Sequence, residues 1–457
     1  MVRICVDQGL KVSGIRQFPT LMEAVLQDLT LANPEYQAAR RHGYSVWGKP
    51  KDIQLYKWRG QTLTLPRGYA RTLRYHLGRQ QVEASWDNRT CLKDPVAFQS
   101  GICLRPYQEG AVTALLQGRQ GGVVAPCGSG KTIIMLEAMA RIGQPALWVT
   151  HTKELLNQTR QRAMECLGLT DEQIGEIAEG KVALGSHLTL ALVQTLAKAD
   201  LQPLEKAFGA VFVDEAHHLA AGSFYRTVGR FAALYRLWAS ATPQREDGLT
   251  PMIVAAGGPV LHVIGRCQTG TLSPQLVVVE TEFELADDFM EEDRLQYAKA
   301  LSYLTANNER NRLIVDTLRR EAPGHFSLVL SERKEHLRQL ALWLQEALPD
   351  LTVEVLTADL KKSQRQEIME RAQARQVDIL LATQLAREGL DLTHLDRLFL
   401  ATPKRAAAAV EQEVGRIMRP SAGKKDAIVF DFWDSRSRLF RSQFWKRRQV
   451  YRNIGVR

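Results

Sequence analysis

The sequence predicts an α/β protein in which two doubly wound parallel-sheet domains stand in tandem behind a small α+β domain. Three observations carry this expectation. From about residue 104, short apolar runs alternate with amphipathic stretches of helical period, the pattern of βαβ units on a parallel sheet. A second set of the same kind begins near Ser327, and 457 residues are too many for one core but suit two or three. Residues 1–103 differ in texture, being rich in Arg, Trp and Tyr with short strand-like runs such as Ile53–Trp58.

In the first alternating set, Gly121–Val124 reads as a strand end, Thr132–Ile142 as a helix, Ala146–Thr150 as a strand and Lys153–Leu167 as a helix. Ala210–Val213 and Arg236–Ala239 are short apolar runs suited to buried strands. In the second set, Ser327–Leu330, Thr352–Leu356, Asp378–Leu381, Arg397–Leu400 and Ala427–Phe430 read as strands. Lys334–Ala347, Gln364–Ala374 and Ala406–Met418 read as the helices between them. Phe283–Leu318 is mostly of helical pattern and carries an acidic run (Asp287, Asp288, Glu291, Glu292, Asp293), read as a solvated face. The expected division is 1–103, 104–268, a helical connector at 269–318, 319–433, and a basic helix at 434–457.

Composition excludes several classes. Hydrophobic residues at 45% and charged residues at 24% are globular values. The six cysteines are scattered with no C-x-x-C pair, which argues against a disulfide framework or a Cys-rich zinc site and fits a reduced compartment. Met1–Leu10 lacks an apolar segment of signal-peptide type. Gly248–Gly265 is free of formal charge but is interrupted by Pro251, Gly257, Gly258 and Pro259, so a spanning helix is not expected. A cytoplasmic protein without a membrane partner is the resulting expectation. The formal charge of +10 favours a polyanionic partner. It is uneven: residues 1–103 hold 15 Lys+Arg against 8 Asp+Glu, and residues 434–457 hold 8 against 1. The middle of the chain is therefore slightly acidic.

The strongest local signal is Ala125–Thr132, Ala-Pro-Cys-Gly-Ser-Gly-Lys-Thr, between an expected strand and an expected helix. Glycines there let backbone N–H groups turn inward on phosphate oxygens at a helix N-terminus. Gly128, Ser129, Gly130, Lys131 and Thr132 form the candidate phosphate cradle, Lys131 reaching the β/γ-phosphates and Thr132 ligating Mg²⁺. Ala125 stands where the strict pattern has Gly, which leaves those mechanics intact. Downstream, the apolar run Val211–Val213 ends in Asp214-Glu215-Ala216-His217. Asp214 is placed to hold Mg²⁺ and Glu215 to act as base for an attacking water. Gln412, Arg416 and Arg419 lie at i, i+4 and i+7, on one helix face.

With these motifs in order, residues 104–432 resemble the superfamily 2 DEAD/DEAH-type helicases and translocases. The remaining motifs are Leu104–Gln108, Thr150–Leu155, Gln194–Leu196, Ser240–Thr242, Leu330–Arg333, and Ala382–Thr383 through Glu388–Asp391. The resemblance implies two tandem RecA-like domains that use ATP and Mg²⁺. It implies that Arg105 and Gln108 contact the nucleotide, Gln108 reading adenine, with Asp391 near the sugar. It makes Gln412, Arg416 and Arg419 catalytic, the arginines as fingers. Ser240 and Thr242 would couple the γ-phosphate site to nucleic acid, whose backbone Thr150, Gln194, Thr195, Ser331 and Thr383 would touch. Arg245-Glu246-Asp247 looks like the RED motif of the XPB/UvsW-like group, linked there to unwinding, which makes Arg245 a further candidate contact. That group also carries a small DNA-contacting domain before the motor, and residues 1–103 could be its counterpart.

The expected activity is an ATP-dependent DNA helicase or translocase, moving 3′ to 5′ on single-stranded, forked or branched DNA, in repair or recombination. Two alternatives remain: an RNA helicase, and a motor subunit recruited to a protein partner such as a nuclease, transposase or recombination factor. Residues 1–103 interleave bases with aromatics (Tyr44, Trp47, Lys49, Lys51, Tyr56, Lys57, Trp58, Arg59, Arg67, Tyr69, Arg71, Arg74, Tyr75). Most of the aromatics are expected in the small domain's core and the bases on DNA. The last helix, with Arg436, Arg438, Arg441, Lys446, Arg447, Arg448, Arg452 and Arg457 against Asp434 alone, is likewise expected to grip nucleic acid.

Overall fold

In a computed structural model, the described residues are all of 1–457 except 42, 127, 217–220, 242–247, 266–267, 270–271, 286–289, 292–293, 296, 384–391, 393, 404–406, 419–420, 422 and 457. At 221, 223–224, 290–291, 294–295, 362, 407–409, 411–412 and 453 the description is of backbone alone. The chain divides into two compact units, Met1–Thr269 and Gly270–Arg457.

Period-two burial builds the first sheet. Val2 and Ile4 of β1 (Val2–Val6) and Leu10 and Val12 of β2 (Gly9–Ser13) point inward, while Arg3 and Lys11 face water. There follow α1 (Pro19–Asp28), β3 (Thr30–Ala32), α2 (Pro34–Arg41), β4 (Asp52–Gln54), β5 (Lys57–Arg59), β6 (Thr62–Pro66), α3 (Ala70–Arg79) and β7 (Ala84–Asn88). The sheet order is β5-β6-β2-β1-β7, and β3 and β4 pair as a separate ribbon. Leu21 and Val25 of α1 and Leu73 and Leu77 of α3 close the core. The run Ile53–Trp58 is split between β4 and β5, with Leu55 buried at the break. The core reading of the aromatics holds for Tyr69, which is buried, and in part for Trp58, half-buried beneath Arg16 at 4.4 Å. It fails for Tyr44, Tyr75 and above all Trp47, which is 93% exposed. The small core is already filled by aliphatic side chains.

The rest of the first unit contains α4 (Pro106–Gly118), β8 (Gln120–Val124), α5 (Lys131–Ile142), β9 (Ala146–Thr150), α6 (Lys153–Leu167), β10 (Ile174–Ala178), β11 (Lys181–Ala183), β12 (Leu188–Leu192), α7 (Val193–Lys198), β13 (Ala210–Val213), α8 (Ala221–Val228), β14 (Tyr235–Ser240), α9 (Thr250–Gly257) and β15 (Val260–Val263). Its eight strands run in the order β11-β10-β12-β9-β13-β14-β8-β15, and all neighbours but β10 and β11 pair in parallel. Burial on both faces explains why the central strands are uninterrupted apolar runs. Trp148 and Phe212 point to a core shared with α4, α5 and α6, while Leu147, Val149, Val211 and Val213 point to one shared with α7 and α9. The uncharged stretch Gly248–Gly265 is α9 followed by β15, and no helix among the described residues is long and apolar enough to cross a membrane.

Two buried arginines join the accessory sheet to this domain. Arg67 donates to Gln120 Oε1 at 2.8 Å and to the Ala233 carbonyl at 2.6 Å. Arg236 donates to the carbonyls of Ala256 at 2.8 Å and Gln8 at 3.1 Å.

The second unit contains β16 (Gln275–Glu280), a short ribbon of β17 (Met290–Glu291) and β18 (Arg294–Leu295), α10 (Tyr297–Ala306), α11 (Asn308–Glu321), β19 (Ser327–Leu330), α12 (Lys334–Ala347), β20 (Val353–Leu356), α13 (Lys362–Gln373), β21 (Ile379–Ala382), β22 (Arg397–Leu400), the helix Ala407–Ile417, β23 (Ile428–Trp433) and the helix Arg438–Asn453. The sheet order is β16-β23-β22-β19-β21-β20, every neighbouring pair parallel. Within the stretch expected as a helical connector, β16 forms an edge strand of this sheet and Ile314, Val315 and Leu318 of α11 enter its core. Of the acidic run, Asp287, Asp288, Glu292 and Asp293 lie outside the described residues.

The last helix is half core. Val450, Tyr451 and Ile454 pack on the sheet. Arg447 is buried and donates twice to Asp431, each bond 2.8 Å, and Tyr451 donates to the same carboxylate at 2.7 Å. Asp434, read from sequence as the lone counter-charge of the tail, is instead the buried partner of Arg310 at 2.7 Å and of the Thr281 hydroxyl at 2.6 Å. Arg438, Arg441, Lys446, Arg448 and Arg452 remain exposed.

Candidate functional site

Sheet order brings the first unit's motifs together. Strands β9, β13, β14 and β8 are neighbours and run parallel. Thr150, Asp214, Ser240 and the loop beginning at Ala125 therefore share the carboxyl edge, where open α/β sheets bind ligands. The loop turns through Gly128 (φ 84°) and Gly130 (φ 81°), left-handed conformations that glycine adopts without strain. Gly130 then caps α5, so backbone N–H groups converge at a helix N-terminus.

Gln108 fixes this loop from the α4 side. Its Oε1 accepts the Arg105 backbone N–H at 2.9 Å, and its Nε2 donates to the Ser129 carbonyl at 2.9 Å. Tyr107 donates its hydroxyl to the same carbonyl at 3.3 Å, and Arg105, exposed, reaches Tyr107 at 3.3 Å. Both ends of the Gln108 amide are engaged within the protein. Tyr107 lay within the motif Leu104–Gln108 but was given no role from sequence, although its position beside Gln108 was the available signal.

Behind the loop lies a buried charged group. The Lys131 ammonium stands 3.2 Å from Glu215 Oε1 and 3.4 Å from the Ala125 carbonyl. Thr132 donates its hydroxyl to Asp214 Oδ2 at 3.2 Å, and Asp214 Oδ1 accepts the Glu215 N–H at 2.9 Å. Burial raises the Asp214 carboxyl to about 6, as does the neighbouring Glu215 charge, while Lys131 works in the opposite direction. Glu215 itself has φ 48°, an uncommon conformation for a residue with a side chain. The donor set fits a magnesium nucleotide. One hydroxyl and one carboxylate are paired as hard oxygen ligands, an ammonium stands beside the loop, and the Ser129 hydroxyl is buried with no hydrogen-bond partner among the described residues.

The other expected contacts are dispersed over strand ends. Thr150 is buried and donates to the Thr152 carbonyl at 3.3 Å; Gln194 is exposed and donates to the His151 carbonyl at 3.0 Å; Thr195 is half-buried. The Ser240 carbonyl accepts the Ala125 N–H at 3.0 Å, linking β14 to the phosphate loop. In the second unit, Ser331 follows β19 and Thr383 follows β21, adjacent strands. The Ser331 hydroxyl is bonded to His336 Nδ1 at 2.9 Å, and His336 Nε2 to Asn311 Oδ1 at 2.9 Å. Arg416 is half-buried on the helix Ala407–Ile417. His217, Thr242, Arg245, Asp391 and Arg419 lie outside the described residues, as does the side chain of Gln412.

Two family models match the chain. One, described as the res subunit of type III restriction enzymes, covers residues 101–245, and the helicase conserved C-terminal domain covers residues 309–421. A protein of Acanthamoeba polyphaga mimivirus, named as an ATP-dependent RNA helicase, is 26% identical over 76% of this chain and 67% of its own length. The DNA 3′-5′ helicase XPB of Kineococcus radiotolerans is 26% identical over 73% of this chain and 60% of its own length. The chain thus spans about two thirds or less of these relatives. Among solved structures, a fragment of a type I restriction enzyme HsdR subunit from Vibrio vulnificus shares the fold, with TM-score 0.56 and 18% identity over 76% of this chain and 66% of that one. Both halves of a helicase motor are matched in order, as in superfamily 2 helicases of XPB-like type.

Proposed function

We propose that this protein is an ATP- and Mg²⁺-dependent DNA helicase or translocase that moves 3′ to 5′ on forked or branched DNA. The observation that carries the reading is the Lys131–Glu215 and Thr132–Asp214 arrangement at the carboxyl edge of the sheet. Magnesium-bound ATP supplies the phosphoanhydride bond whose cleavage drives the cycle. Lys131 turns from Glu215 to the β/γ-phosphates, which leaves the Glu215 carboxylate available to take a proton from the attacking water. Thr132 and Asp214 would hold the cation, and Gln108 with Tyr107 keeps the loop in place. Gln412, Arg416 and Arg419 are proposed as transition-state stabilisers, a role drawn from the family resemblance alone. The division of the chain at 103 and 268 belongs to the same proposal.

DNA is preferred because relatives such as the Kineococcus protein are named as 3′-5′ DNA helicases. The name of the mimivirus relative supports an RNA reading, and backbone-tracking motifs do not distinguish the two sugars. The decisive measurement is ATPase turnover with matched DNA and RNA, each as single strand, duplex and fork, at stated salt. DNA stimulation that is abolished in Lys131→Ala and Glu215→Gln is the expected result. Full DNA-stimulated turnover in Glu215→Gln overturns the mechanism, and stimulation by RNA alone overturns the choice of substrate.

A further inference from the structure

The segment between α2 and β4 displays Trp47 with 93% of its surface exposed, a high degree of exposure for so large an apolar side chain. The backbone beneath it is tied down. Asn33, 7% exposed, accepts the Glu35 N–H at 3.0 Å at the start of α2, donates its amide to the Pro50 carbonyl at 2.8 Å, and donates its own N–H to the Lys51 carbonyl at 3.0 Å. Closer to the tip, the Lys49 N–H reaches the Val46 carbonyl at 3.0 Å and the Trp47 N–H reaches the Ser45 hydroxyl at 3.3 Å.

The surroundings are basic. Arg40, Arg41, Lys49 and Lys51 are all exposed, and Glu35 and Asp52 are the acidic residues of the flanking elements. A flat aromatic among cations matches an unpaired base with its phosphates on either side. The accessory domain that carries the loop is in turn fixed to the machinery it would serve. Tyr225 on α8, downstream of Asp214 and Glu215, donates its hydroxyl to the Leu55 carbonyl at 2.8 Å. Met252 and Ala255 of α9, downstream of Ser240, enter the accessory core. Trp47 is thus carried on the same compact unit as the phosphate loop.

We propose that Trp47 stacks on the first unpaired base where single strand meets duplex, with Arg40, Arg41, Lys49 and Lys51 holding the adjoining phosphates. The loop then acts as a rigid stop against which the motor draws the strand. This rests on the DNA reading above and specifies its substrate as a junction.

The test uses the full chain and forked DNA carrying 2-aminopurine at the first unpaired position, compared with the same base placed deep in the duplex. Wild-type protein is expected to change the junction signal selectively. Trp47→Ala is expected to lose that change and to bind the fork roughly 5-fold or more weakly, as removal of one stacking partner does, whereas Trp47→Phe retains both. An exposed side chain leaves folding intact, which circular dichroism of Trp47→Ala checks. A junction signal absent from the wild type, or unchanged in Trp47→Ala, overturns the proposal. Failure of any DNA to stimulate the wild-type ATPase would instead count against the motor reading, while the fluorescence arm still decides the role of Trp47.

Discussion

Gly130 shows how much one position can determine. Its φ of 81° is left-handed, and a Cβ there would sit 2.5 Å from the Gln108 amide nitrogen that holds the loop. Gly130→Ala therefore strains the backbone and displaces the clamp together, at a cost of about 1–3 kcal/mol. We expect ATP turnover to be lost while the two sheets remain folded; ATPase assay with circular dichroism reads both, and normal turnover would refute the coupling. The residues of this loop were legible in the sequence because a phosphate cradle demands their chemistry in one short segment. Trp47 was not. Nothing in its neighbours' identities says that aliphatic side chains already fill the accessory core and leave the indole in water.

At the scale of elements, strand β19 and helices α11 and α12 are joined by a relay of polar groups. The Arg333 N–H donates to the Ser331 hydroxyl at 3.1 Å, Ser331 to His336, His336 to Asn311, and Asn311 to the Thr305 carbonyl at 2.9 Å. This order requires a neutral imidazole with its proton on Nε2. Burial, reinforced by the Arg310 charge, lowers His336 from 6.5 to about 3. Its contribution is complete above the unfolded value and is lost as pH falls toward the folded one, because the unfolded chain takes up a proton that the folded chain refuses. The slope below pH 6.5 is at most about 1.4 kcal/mol per pH unit. His336→Gln should be less stable than wild type at pH 7, and the gap should narrow toward pH 4.5 in urea titrations. A gap constant with pH would rule the relay out. Ser331 was legible as a motif position, but its bond to His336 depends on α12 folding back beside β19.

For the whole molecule, the decisive feature is the joint between the accessory sheet and the first α/β domain. Arg67 is buried and donates to an amide oxygen and to carbonyls rather than to a carboxylate among the described residues; burial lowers its guanidinium to about 10, with Asp7 opposing the shift. It is held by Gln120 and by carbonyls from both sides of the joint. Arg67→Met removes those charge-assisted bonds and should destabilise the first unit by roughly 2–4 kcal/mol. The accessory sheet should then become protease-sensitive before the larger sheet does. Limited proteolysis across a urea series would detect this, and coincident loss of both sheets would mean that the arginine is not what joins them. Both basic ends of the chain are likewise less free than their charge suggests, since Arg67 serves the joint and Arg447 is neutralised by Asp431 inside the second unit.

By itself the sequence determined the two strand–helix alternations, the phosphate loop, the acidic box and their order. Each depends on local periodicity or on chemistry confined to a few consecutive residues. Only the tertiary structure decided that Lys131 meets Glu215 and Thr132 meets Asp214, since residues more than eighty positions apart become neighbours only through the order of parallel strands. It also decided which of the many basic and aromatic side chains are buried and which face water. Composition counts those groups, whereas packing competition for a small core assigns their places.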